Sequence, residues 1–486
     1  MRVLIIFKDS VATERMAICY LSAALKKAGN EVRLWIMRVN PEEQLHEYME
    51  EFKPDIVSFS AMTGEHLPLL ELNEELKSRY EFFSVWGGPH ATFAPELINE
   101  DVVDAQCTGE GDAVFPELCR RIEHGEEYWL TPTFNVSYGG EVFRNELADL
   151  IPTLEALEFP DREILYEADP RLSQLGTKYF MAARGCPYKC SYCFNVKYNE
   201  SYKGKGKIIR SRTPRQVIDE IKWVKDRYPL DHVSFLDDLF ILKPKGWLLE
   251  FADLFTKEIG LRWSCTVRAN VTNIGGEFVL GELRKSGLSW VWMGVECGDE
   301  EISNQVLDRS HTNEEITEAV RLFQKYEINV IALNIMGLPV PNPLEIDLKT
   351  LDFNIMLRPA MMKTSLMYPY PGSPIETYAR LHGYIDSRPE YLETHSRKSI
   401  MKMPSEKERR QVENLMRLSG VVVAFPFLRR HTMFLISLPL GRLYHFIFYL
   451  WYGYSFKFRF TKMTAKGMRH ELPYFFKLFV RMMAKS

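Results

Sequence analysis

What most constrains the fold of this chain is a repeated alternation of short apolar runs with helical periods. Between residues 1 and 125 the runs 2–7 (RVLIIF), 31–37, 55–60, 82–88 and 102–107 alternate with helical patterns over 13–28, 41–52, 65–79, 94–99 and 112–123. These runs are apolar throughout rather than at every second residue, which marks strands covered on both faces. Strands of that kind joined by helices build a doubly wound, Rossmann-like parallel sheet. Ligands of such sheets sit beyond the carboxyl ends of the strands. The loops to inspect are therefore 8–13, 60–66, 87–92 and 108–112.

The alternation stops over 126–175. There Gly139-Gly140 stands between alternating residues and predicts a hairpin. The remainder, with no clear period, reads as a linker. Over 176–390 the alternation returns as six strand–helix units, starting with 177–183 (TKYFMAA) and ending in a strand within 360–374. Six units suit a partial (β/α)6, TIM-like barrel rather than a closed eightfold one, with reactive residues at the carboxyl ends of strands. Residues 391–486 carry no strand pattern and are expected to be helical.

The 486 residues are 46% hydrophobic and 26% charged, which excludes a disordered or collagen-like chain. The net charge of −4 is unevenly spread. Residues 421–486 hold 11 Lys or Arg and one acid, Glu471, leaving −14 for residues 1–420. The same 66 residues contain 17 aromatic side chains, but no run of 18 free of charge and proline, so a spanning helix is not expected there. Basic and aromatic residues so mixed suit a helix lying in an anionic membrane interface, or a cap packed on the barrel. Nucleic acid is a poorer partner for an acidic body. The N-terminus has no signal-peptide cleavage pattern and runs straight into a strand. A cytoplasmic protein, held at most peripherally on the inner face of the membrane, is expected.

Eight cysteines are too few and too scattered for a disulfide framework, yet three fall in RGCPYKCSYCFN, at Cys186, Cys190 and Cys193. Three thiolates on one tight loop can hold three irons of a four-iron cluster and leave the fourth iron open to a ligand. Structural zinc would need a fourth ligand, and the next cysteine lies 72 residues on.

Cys-x3-Cys-x2-Cys, with an aromatic residue (Tyr192) before the third cysteine, resembles the signature of radical S-adenosylmethionine (SAM) enzymes. The resemblance extends over most of residues 177–376. It implies a [4Fe-4S] cluster on Cys186, Cys190 and Cys193, whose open iron is chelated by SAM. Reductive cleavage of SAM then gives a 5′-deoxyadenosyl radical that abstracts hydrogen from substrate. A reductant such as flavodoxin or ferredoxin is implied as partner. Asp237-Asp238 in SFLDDLF stands where the family contacts the methionyl amine. Glu296 in MGVECG resembles the acid of the Gly-x-Glu-Ser motif and is a candidate for the SAM ribose or amine, with Cys297 in the place of Ser. Arg268 is a candidate for the SAM carboxylate, and Gly337 in NIMGLP for a turn near the adenine. YPYPGSP (368–374) resembles the sixth-strand motif.

An α/β sheet ahead of such a barrel resembles the cobalamin-binding branch of this family. DIVSFSAMTG (55–64), GGPHAT (87–92) and CTGEGD (107–112) read like that branch, implying Ser60, Thr63, Gly87, Gly88, His90, Gly109 and Glu110 as cobalamin contacts. No Asp-x-His-x-x-Gly occurs in the chain, so no histidine of that motif lies below cobalt. His66 and His90 remain possible neighbours. Cobalamin without a strong lower ligand yields its methyl more readily to a substrate radical. The reading favours methylation of an unactivated carbon or of phosphorus in a small or lipid-like molecule, one SAM restoring methylcobalamin and a second forming the radical. The alternatives are a radical SAM cyclase or other ring-modifying enzyme, and a non-catalytic sensor of cobalamin or cluster.

Overall fold

The structure is a computed structural model, and it describes residues 1–9, 13–270, 276–386, 391 and 397–460. It divides into two compact units, one built mainly from Met1–Ser173 with Tyr198–Arg210, the other from Gln174–Lys197 and most of the chain after Ser211.

The first unit is a seven-stranded sheet. Its strands are β1 (Arg2–Phe7), β2 (Glu31–Ile36), β3 (Ile56–Ser60), β4 (Phe83–Gly87), β5 (Ala105–Cys107), β6 (Phe134–Tyr138) and β7 (Glu141–Arg144), in the order β2-β1-β3-β4-β5-β6-β7. The first five pair in parallel. Val3 to Ile6 are fully buried, because helices cover both faces. Leu4, Ile6, Val57, Phe59 and Trp86 turn to one side, against Leu45, Met49 and Phe52 of one helix and Leu69, Leu72 and Leu76 of another. Strand order reverses between β1 and β3, the switch point where doubly wound sheets open a crevice for ligands.

Two features differ from the sequence expectation. The hairpin over 134–144 forms as expected, with Gly139 and Gly140 at φ +61° and +83°, but it is not part of a linker. It pairs antiparallel with β5 (Cys107↔Phe134, Ala105↔Val136) and closes an edge that would otherwise expose unpaired backbone groups. The second difference lies after β4. A helix expected near 94–99 begins at once, at Gly88–Phe93, with a 3-10 turn over Pro95–Asn99. Pro89 in the first turn has no amide hydrogen to leave unsatisfied and favours this early start.

The second unit carries six parallel strands, β8 (Thr177–Phe180), β9 (His232–Phe235), β10 (Arg262–Val267), β11 (Leu288–Glu296), β12 (Asn329–Met336) and β13 (Met361–Leu366). Each pairs with the next, and β8 and β13 are the two edges, so this is a partial barrel. Side chains alternate along each strand. Val291, Met293 and Val295 of β11 join the outer core beneath the helices Pro214–Arg227 and Asn313–Lys325. Trp290 and Trp292 point to the other side, with Ile331 and Met361.

That other side is filled from the C-terminal region. Three helices, Glu406–Ala424, Thr432–Ser437 and Gly441–Tyr454, follow the barrel, and the last continues as a wider turn over Ser455–Phe460. Phe456 stacks on Trp292 at 5.8 Å, and Phe460 lies 5.9 Å from Trp290. Arg262 donates to the Phe460 carbonyl at 3.1 Å. The Glu406–Ala424 helix packs outside β13, where Thr364 and Ser419 share a hydrogen bond of 2.8 Å. Part of the aromatic tail is thus a barrel filling, while residues 461–486 lie outside the described residues.

Phe460 is 2% exposed. Phe460→Ala leaves a cavity against Trp290 and is expected to cost about 3–5 kcal/mol, read as a lower denaturant midpoint with an unchanged slope.

Candidate active site and cofactor-binding loops

The cysteine loop leaves the barrel after β8 and is pinned at its middle. The Ser191 amide donates to the Leu307 carbonyl at 3.0 Å, its hydroxyl to the Val306 carbonyl at 2.6 Å, and its own carbonyl accepts from Ile375 at 3.0 Å. The Cys193 amide closes a tight turn on the Cys190 carbonyl at 2.9 Å. Cys186 and Cys190 are buried and Cys193 partly so. Burial first, and then the neighbouring cysteines and Asp238, push the Cys186 thiol up to about 12 and Cys193 to about 11. No three His, Cys, Asp or Glu side chains among the described residues converge on a single ion. A four-iron cluster asks for something wider, one thiolate per iron.

The donor set fits an anionic cluster. Arg268 and Arg309 both aim Nη1 at the Cys190 Sγ, at 3.4 and 3.5 Å. Both guanidiniums are buried. Arg268 also lies over the Tyr188 ring, 3.8 Å from its centroid. Arg309 donates to the Tyr192 hydroxyl at 2.8 Å and the Gly294 carbonyl at 2.7 Å, and its Nη1 is 4.0 Å from Glu296. Glycine at 294 is what admits this arrangement, since a Cβ there would strike Glu296 Oε1 and lie 2.9 Å from Arg309 Nη2.

Glu296 ends β11 at a bulge and holds φ +64°, a left-handed backbone that is costly for a residue with a side chain. The bulge turns its carboxyl inward, to a hydrogen bond with Tyr192, and burial raises its carboxyl above the usual range. Cys297 is buried, with Sγ 3.5 Å from the Asp299 carbonyl. Gly337 takes φ +71°, and its amide donates to both oxygens of buried Asp347 at 3.1 Å.

The two aspartates after β9 part company. Asp238 accepts from the Gly185 amide at 3.2 Å and from Asn195 at 3.0 Å, and so faces the cysteine loop. Asp237 accepts from the Ala182 amide at 2.7 Å with one oxygen and forms a buried ion pair with Lys243 through the other. Both Asp237 oxygens are thus engaged within the barrel, and Asp238 is the member of the pair beside the cysteine loop. Arg309, Tyr188 and His311 were not foreseen. His311 is buried, and burial, with Arg309 and Arg268 near, holds its imidazole down to about 3. Asp308 and Ser310, both at positive φ, bracket Arg309 in its loop. Such strain has no signature in the local sequence.

In the first unit, Ser60, Thr63, Gly87, Gly88 and His90 come together at the carboxyl ends of β3 and β4. Ser60 and Gly87 are paired across the ladder. Gly88 takes φ +87°, and a Cβ there would lie 2.9 Å from the Ala61 carbonyl, whereas one on Gly87 would meet open space. Thr63 Oγ1 is 3.2 Å from His90 Nδ1, and the His66 and His90 rings stack at 3.7 Å. Gly109 and Glu110, expected with this group, have internal work. A Cβ on Gly109 would strike the Tyr202 hydroxyl. The Glu110 carboxylate takes both nitrogens of Arg210, at 2.5 and 3.0 Å, and the Tyr198 hydroxyl at 2.7 Å.

Burial lowers His66 to about 4, aided by Lys8, and His90 to about 3, aided by His66. In the unfolded chain both take up protons below about 6.5. The folded state therefore loses stability as pH falls from about 6.5 toward 4, by about 1 kcal/mol per pH unit for each ring. His90→Gln is expected to flatten that slope, read as urea midpoints at pH 7 and 5.5.

Comparison with known proteins finds two domain matches. The B12 binding domain matches residues 4–119, and the Radical SAM superfamily matches residues 181–348. An uncharacterized methyltransferase of Pyrococcus horikoshii is 26% identical over 68% of this chain and 70% of its own. The anaerobic magnesium-protoporphyrin IX monomethyl ester cyclase of Cereibacter sphaeroides is 26% identical over 74% of this chain, which spans 59% of that enzyme. The hopanoid C-3 methylase of Methylococcus capsulatus is 24% identical over 74% of this chain and 67% of its own. In fold, the cobalamin-dependent SAM radical enzyme OxsB aligns with a TM-score of 0.71 at 16% identity, over 92% of this chain and 72% of that one. A cobalamin-type sheet carrying one loop set, and a six-stranded barrel carrying a three-cysteine loop, place this chain among the cobalamin-binding radical SAM enzymes.

Proposed function

We propose that this enzyme methylates an unactivated carbon, or phosphorus, of a small lipid-like molecule, the cluster and SAM supplying a hydrogen-abstracting radical and cobalamin the methyl group. One observation carries the reading. A cavity of about 570 Å³ in the barrel unit is lined by Tyr192 and Glu296 together with Leu333, Tyr368, Tyr370, Phe448, Tyr449 and Tyr452. Tyr192 directly precedes Cys193, so the cavity opens beside the cysteine loop.

Cys186, Cys190 and Cys193 would hold the cluster, with Arg268, Glu296, Asp238 and Gly337 on SAM. Ser60, Thr63, Gly87, Gly88 and His90 would hold cobalamin. The protein's part is positioning: Arg309 fixes Tyr192 and Glu296, and the aromatic walls exclude water from a reactive radical. A small electron-transfer protein such as flavodoxin or ferredoxin would serve as reductant. A methylase of hopanoid lipids among the relatives supports an apolar substrate. The cyclase relative keeps a second reading open, radical ring closure without methyl transfer. Reconstituted anaerobically with reductant and SAM, the enzyme is expected to form 5′-deoxyadenosine and S-adenosylhomocysteine, and Cys190→Ala neither. The first product alone would favour cyclisation, and neither from fully iron-loaded protein would favour a sensor.

Among the described residues no helix is long and apolar enough to cross a membrane. The C-terminal region nevertheless exposes Phe427 at 64% and Phe434 at 68%, and Arg430 and Arg442 of the same region are exposed as well, whereas Arg429 is paired with Asp352 at 2.5 Å. We infer that this surface rests on an anionic membrane. Deleting 421–486 would also empty the barrel of Phe456 and Phe460, so surface substitutions are the better test. Phe427→Ser/Phe434→Ser is expected to lower co-sedimentation with phosphatidylglycerol vesicles several-fold, and added salt to weaken the wild type. Equal pelleting with and without vesicles would overturn this.

A further inference from the structure

The cavity holds a cation that neither the cluster site nor the SAM candidates account for. Lys363 lies in the middle of β13 and is half-buried. Its Nζ is 5.1 Å from the Trp292 ring centroid and 5.4 Å from that of Tyr452. It is the one cationic side chain among the described residues lining the cavity. The one acid there, Glu296, is turned to Tyr192 and Arg309. No ion pair to Lys363 is formed among the described residues.

An ammonium drawn out of water loses hydration that only a partner can replace. Two aromatic faces replace part of it through cation–π attraction, each worth about 0.5–2 kcal/mol. They contact the side of the head group and satisfy none of its three N–H donors in full. What completes the site must bring an acceptor, best a charged one. Leu333, Ile335, Leu366, Met367 and Phe448 offer an apolar body contact area, and the uncharged Asn334, Thr364 and Ser365 also line the cavity. Lys363 on β13 and Glu296 at the end of β11 mark two separate points of the lining.

We propose that Lys363 is the specificity-determining residue of this cavity and that the substrate is an anionic amphiphile. Its phosphate or carboxylate is held by the Lys363 ammonium, and its apolar body lies along the aromatic wall, directed at Tyr192 and Glu296. This rests on the reading of the cavity as the substrate site.

The test is equilibrium binding, which needs no turnover. Decyl phosphate, decanoate and decanol, each below its micelle concentration, are titrated calorimetrically into the reconstituted holoenzyme with SAM present. At least one of the two anions is expected to bind tenfold or more tighter than the alcohol, and the comparison of phosphate with decanoate tells which head group is preferred. Lys363→Met is expected to abolish that difference and Lys363→Arg to keep most of it, at wild-type iron content. Equal binding of all three ligands by the wild type overturns the proposal, whatever the variants do. So does a Lys363→Met enzyme that keeps the preference for an anion, or one that loses SAM instead, which would place Lys363 in the cofactor site. Failure of the functional reading shows separately, as wild-type enzyme that forms no 5′-deoxyadenosine.

Discussion

The candidate active site depends on one buried guanidinium. Arg309 reaches Cys190 and Tyr192 of the cysteine loop, the Gly294 carbonyl and Glu296. A charge so placed is tolerated only while its donors are matched, and losing one partner strands the others. The demand explains neighbouring choices that otherwise look unrelated. Position 294 must be glycine to admit the side chain, β11 must bulge to turn Glu296 inward, and the loop around 308–310 must accept left-handed backbone to deliver Arg309. One cation binds the loop that would carry the cluster to the strand that would carry SAM.

Much of this fold is legible in the sequence, for a physical reason. A parallel strand covered on both faces must be apolar at every position, so RVLIIF and WVWMGVE declare themselves. The three cysteines are equally plain, since few local spacings serve one chemistry so narrowly. What stays hidden is long-range pairing. That the 134–144 hairpin closes the sheet edge depends on the exposed side of β5, which no local period records.

The same limit applies to the candidate site residues. Asp237 and Asp238 are adjacent and chemically alike, yet Lys243 claims one and Asn195 the other. Glu110 lies in a persuasive motif but belongs to Arg210, 100 residues away. A carboxylate can be found by its spacing, but its partner cannot. Lys363 and Arg309 carry no motif at all and emerge only where strands and rings surround them. The near-neutral total charge was similarly uninformative, because the basic C-terminal region and the acidic remainder cancel.

The filling of the barrel by Phe456 and Phe460 sets an order on the birth of the molecule. A chain emerges from the ribosome N-terminus first. The first sheet can close on residues made early, whereas Trp290 and Trp292 wait for side chains synthesised about 165 residues later. Until then the barrel is a curved sheet with its aromatic interior open, and the last turn of the described chain acts as the stopper that ends its exposure.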